Sequence, residues 1–116
     1  MCTSNQIIPN GVSICNAEQT TLKNHLLIKV ASRSMEPVIC HGDLAVLHRC
    51  TINDIQFGEI YAVEFDNFQT IRKIYKGENP DTLTFAPIND KEFDSQIFPV
   101  SRIISIYKVV GNLRLF

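Results

Sequence analysis

The sequence predicts an all-β domain. Apolar residues come in short β-branched runs or alternate with polar ones, turn residues punctuate these runs, and no segment sustains an apolar stripe at helical spacing. At 116 residues, 45% hydrophobic and 20% charged, the chain is one domain's worth of globular protein. A chain of this size buries roughly two-thirds of its unfolded surface and needs no staples.

In chain order, residues 1–24 are polar and turn-rich, with Pro9-Asn10-Gly11 at their centre. They read as an arm leading into a domain at 25–116. Strands are expected at 25–30 and 43–48. Two more, at 59–65 and 68–75, form a hairpin around the turn pair Asp66-Asn67. A further strand at 82–86 is bounded by Asn79-Pro80 and Pro87. A polar surface loop follows at 89–96. The β-branched stretch 97–110 is interrupted near Pro99 and closed by Gly111-Asn112, leaving 113–116 as a last edge strand or a packed tail. One helical turn is expected, at 34–39. This strand count suits several small coiled sheets or a partly open barrel.

Composition excludes several classes of function. Eleven basic against twelve acidic residues give a net charge of −1, so neither a phosphate-binding face nor direct contact of this domain with DNA is expected. No apolar run reaches the ~18 residues of a membrane span, and the first residues lack the basic and apolar regions of a signal peptide. A soluble, cytoplasmic protein with no membrane contact is expected. Cys2, Cys15, Cys40 and Cys50 form no C-x-x-C pair and match no zinc spacing. With His41 and His48 they read as reduced thiols and strand-end imidazoles, and no metal or cofactor is expected.

The chemistry concentrates in Ser34-Met35-Glu36-Pro37-Val38-Ile39, followed by Gly42-Asp43. A strand runs into the small residues Ala31-Ser32, and the chain then turns. Serine is a preferred N-cap, and Pro37 restricts the backbone just after it. A hydroxyl on such a turn is expected to point outward beside free N–H groups, as an acyl-transfer nucleophile with an oxyanion hole requires. The plainer reading is that Ser34 caps a turn, Met35 plugs the core and Asp43 hydrogen-bonds the turn.

The wider pattern adds Gly58-Glu59-Ile60-Tyr61-Ala62-Val63, a basic pair in Ile71-Arg72-Lys73-Ile74, and a tail of Leu83, Phe85, Ile88-Asn89 and Gly111-Asn112-Leu113-Arg114. From about residue 26 onward this resembles the C-terminal domain of LexA-type repressors, whose catalytic fold is shared with signal peptidases. The resemblance implies a serine–lysine dyad: the serine attacks a peptide carbonyl, and a desolvated, neutral lysine takes its proton. It also implies a homodimer, with the protein's own N-terminal arm as substrate and DNA read through a separate domain.

At the basic pair the chain departs from the family's lysine-then-arginine order. Counted back from Gly77, Arg72 falls on the base position, and arginine does not deprotonate. Lys73 is one residue later and faces the other way unless a bulge shifts the strand. Ser32-Arg33 replaces the usual Gly-Asp before the serine, and residues 1–33 hold no Ala-Gly or Cys-Gly to cut. Two readings follow. One is a silent dimerisation and regulatory domain of a transcriptional regulator, with the 97–116 stretch as its contact. The other is a self-cleaving endopeptidase with Ser34 as nucleophile and Lys73 as base.

Overall fold

The computed structural model describes residues 25–114. Seven strands form one antiparallel sheet: β1 (His25–Lys29), β2 (Leu44–Cys50), β3 (Ile60–Phe65), β4 (Gln69–Lys76), β5 (Thr82–Ala86), β6 (Gln96–Pro99) and β7 (Ile103–Leu113). Their order across the sheet is β1-β2-β7-β3-β4-β5-β6. Burial follows the strand period. In β2, Ala45 and Leu47 are buried while His48 and Arg49 are exposed, and in β5 Leu83 and Phe85 are buried between half-buried neighbours. In β3, Tyr61, Ala62 and Val63 are buried in succession. That strand lies between β7 and β4 and is covered on both faces, so each face has its own core.

The all-β class holds. In place of several small sheets there is one continuous sheet, not closed into a barrel: β1 and β6 are its edges. The reason is β7. Its residues pair with β2 from Leu44↔Leu113 to Cys50↔Ile106 and with β3 from Tyr61↔Lys108 to Phe65↔Ile103, so a single strand joins both halves. Register shifts at Val46/Leu47 and Glu64/Phe65 flank it. Such irregularities increase local twist and coil a sheet around its core. One buried cluster contains Ile28, Met35, Ile39, Leu47 and Tyr107, and a second contains Tyr61, Phe65, Ile74, Phe85 and Ile106.

The 97–110 stretch divides into β6, a 3₁₀ turn at Val100–Arg102, and β7. Proline lacks the N–H that would extend the ladder, and β6 ends on Pro99. Gly111-Asn112 does not close the strand, however. Gly111 pairs with Val46, Asn112 with Ala45 and Leu113 with Leu44, so the partner strand overrides local turn preference and 113 belongs to β7. The expected arm at 1–24 lies outside the described residues.

Candidate functional site

The loop between β1 and β2 carries the serine. Its base is closed by two backbone hydrogen bonds that prolong the β1–β2 ladder, Val30 N–H to Asp43 O at 2.8 Å and Gly42 N–H to Val30 O at 2.7 Å. Gly42 sits at φ +94°, a left-handed conformation that side chains resist. Within the loop, Val38 and Ile39 N–H both donate to Met35 O, at 3.0 and 2.9 Å, forming one helical turn. Met35 and Ile39 lie four residues apart and therefore on one side of that turn; both are buried in the first core cluster. Pro37 is exposed, and the Glu36–Pro37 peptide bond is cis.

Ser34 is 1% exposed, so its hydroxyl faces inward and the expected outward-pointing group is absent. The turn is pressed onto the sheet by its two apolar residues, and Ser34 goes with them. Its Oγ accepts a hydrogen bond from Arg72 Nη1 at 2.7 Å and lies 3.2 Å from Ser32 Oγ, while Ser34 N–H donates to Ser32 Oγ at 3.1 Å. Its carbonyl accepts from Ile88 N–H at 3.0 Å and Asn89 N–H at 2.9 Å, and Asn89 Nδ2 donates to Arg33 O at 3.1 Å. The pairing of β4 with β5 stops at Lys73↔Ala86, and the chain beyond it turns away to hold this serine.

Arg72 is likewise buried, at 9% exposure. Besides Ser34 Oγ, its Nη1 donates to Ile71 O at 2.8 Å, and its guanidinium carbon lies 5.9 Å from the centre of the Phe93 ring. Lys73 goes elsewhere. The β3–β4 register runs without a slip from Ile60↔Lys73 to Glu64↔Gln69, so Arg72 shares a face with Tyr61 and Lys73 shares one with Ile60. Lys73 lines a groove of about 290 Å³ with Val38, Gly58, Glu59, Ile60, Ile88 and Val109. Its ammonium makes no hydrogen bond or ion pair with any described residue. The structure therefore brings Ser34 and Arg72 together, while Lys73 shares the face of β4 that carries Ile71, in the groove beside Val38 and Ile88, and makes no hydrogen bond to Ser34.

The other end of the loop is an ionic latch. Asp43, 2% exposed, accepts from Cys40 N–H at 2.8 Å, Asn112 Nδ2 at 2.8 Å, and Arg114 Nε and Nη2 at 3.1 and 3.2 Å. The hydrogen bonds from Arg114 hold its carboxyl below the ordinary 3.8; burial opposes them, and the bonds from Cys40 and Asn112 assist. Glu36 is also held low, first by the N–H of His41 and then by the Arg33 side chain. Ser32, Asn112 and Arg114 gain roles here that no spacing rule marks. Asn112 and Arg114 belong to the tail pattern, but their partner lies about seventy residues back along the chain.

Chemically, the site is an alcohol bonded to a permanent cation. A guanidinium beside Ser34 would stabilise an alkoxide, yet it accepts no proton. The described partners of the hydroxyl, Arg72 and Ser32, include no general base.

This open β-sheet with its buried serine turn is a peptidase-type scaffold, and the chain belongs to the peptidase S24-like family, whose model matches residues 5–111. That family lies within the superfamily of LexA-type C-terminal domains and signal peptidases. Comparison with curated proteins gives no match. Among the described residues, no helix is long and apolar enough to cross a membrane.

Proposed function

We propose that this protein is a catalytically silent S24-like domain that serves a LexA-like or phage-repressor-like regulator by self-association. The observation that carries the reading is the 2.7 Å hydrogen bond from Arg72 to Ser34 Oγ. It fills the position where a dyad requires a neutral amine, and Lys73 lies on the opposite face of β4. DNA reading, in this proposal, belongs to a separate unit. Self-association draws on β7, where Ile104, Val110 and Leu113 are each at least half exposed. The protein acts in the cytoplasm.

The test is to incubate the intact chain from neutral to alkaline pH and follow its mass. Wild type and Ser34→Ala are expected to stay equally whole. Cleavage of the wild type that disappears in both Ser34→Ala and Lys73→Ala would instead establish the Ser34–Lys73 endopeptidase. Sedimentation equilibrium addresses the association: the wild type is expected to be a dimer, and Ile104→Glu or Val110→Glu to shift it towards monomer. A wild-type monomer at all concentrations removes the self-association part of the reading.

A further inference from the structure

We infer that a β-bulge at Val110 couples binding of a second copy of this chain to closure of the serine loop. The end of β7 offers exposed aliphatic side chains to the partner copy and, through the residues between them, locks Asp43. The coupling rests on the self-association proposed above and adds what that association regulates.

Val46 and Leu47 are consecutive on β2, but their partners on β7 are Gly111 and Val109, which leaves Val110 as an extra residue in the ladder. An extra residue re-aims the chain that follows it. Val109 packs against the first core cluster, so strict alternation puts Gly111 and Leu113 on the cluster's side and turns Asn112 away. The bulge reverses this. Asn112 stands opposite Ala45, a member of that cluster, and Leu113 stands opposite Leu44 on the other face.

That reversal serves both ends of the coupling. It aims Asn112 and Arg114 at the serine loop, where both donate to Asp43; Asn112 also reaches Val38 O at 3.4 Å and Arg114 reaches Cys40 Sγ at 3.3 Å. It leaves Val110 and Leu113 each 50% exposed. In an unbulged register Leu113 faces the loop while Asn112 and Arg114 face away, so the aliphatic surface and the Asp43 bonds are lost together. A second copy that covers Val110 and Leu113 therefore favours the register that closes the loop. By linkage, a closed loop strengthens association by the same factor. Asp43 is 2% exposed and takes no part in the contact surface, so its effect on association passes through β7.

The experiment measures the dimer dissociation constant of the full chain by sedimentation equilibrium. Asp43→Asn is expected to raise it about tenfold. Glu36→Gln, which removes a charge from the same loop and leaves the Asp43 bonds intact, is expected to match the wild type. Hydrogen exchange of the wild type supplies a second reading that needs no variant, and it decides the matter should Asp43→Asn fail to fold. The Cys40 N–H, which donates to Asp43, is expected to exchange about tenfold more slowly once the protein concentration passes the dissociation constant. A folded Asp43→Asn that dimerises like wild type overturns the coupling and leaves self-association standing, as does Cys40 exchange that ignores concentration or an equal loss in Glu36→Gln. A wild type that is monomeric at every concentration overturns both.

Discussion

Two arginines fix opposite ends of the loop between β1 and β2, and they do so by opposite physics. Arg72 is buried and donates to the neutral oxygens of Ser34 and Ile71. Arg114 is 58% exposed and clamps a carboxylate that is almost fully buried. At the first end the cation is the costly buried group and the loop supplies its acceptor; at the second the loop supplies the buried anion and the cation comes from the far end of β7. One family block, running from Ser34 to Asp43, therefore has an end suited to chemistry that carries a structural hydrogen bond, and an end suited to structure that carries an ion pair.

The comparison is broken most sharply at Arg72. Arg72→Ala removes the buried hydrogen bonds to Ser34 and Ile71 and the packing of the arginine stem, and is expected to cost about 3 kcal/mol in urea unfolding. Arg72→Lys keeps the charge but loses the planar fork of the guanidinium, and is expected to recover part of that loss. If Arg72→Ala unfolds at the same urea concentration as wild type, the buried end is not an anchor.

Asp43→Asn comes next, at about 2 kcal/mol, because charge-assisted hydrogen bonds to Arg114 and Cys40 are weakened together. Its effect carries a pH signature. The folded carboxyl is held below its ordinary value, so its stabilisation is present above about pH 4 and is lost as pH falls through the depressed value. The gap between wild type and Asp43→Asn in urea unfolding is therefore expected to shrink on acidification below that point. A constant gap would show that shape, not charge, holds this end.

Arg114→Ala is expected to cost less than Asp43→Asn, since the guanidinium is mostly solvated and screened. High salt is expected to narrow that difference while leaving the Arg72→Ala loss intact. Smallest is Ser34→Ala, at or below about 1 kcal/mol, because Arg72 loses one acceptor and keeps Ile71 O. Comparable losses for Ser34→Ala and Arg72→Ala would locate the whole contribution of Arg72 in the serine bond.

Much of the fold was legible. The runs that became β1 to β5 show their period in the sequence, and Asp66-Asn67 lies between the paired strands β3 and β4. The 34–39 turn was readable from serine and proline; that Met35 and Ile39 share its buried side came with the structure. The continuity of β7 through Gly111-Asn112 was not, because it depends on β2 lying alongside. Nor was the inward direction of the Ser34 hydroxyl, since burial of a turn is decided by what it packs against.

The sequence by itself determined that strands, not helices, build this protein, and that an arginine precedes a lysine on β4. Alternation along a strand then obliges those two side chains to part, which is a local rule. Only the tertiary structure decided which of the two meets Ser34. That depends on an unslipped register with β3, on where β5 stops pairing, and on the chain at Ile88 and Asn89 drawing the serine loop over β4, all of them contacts between segments far apart in the chain.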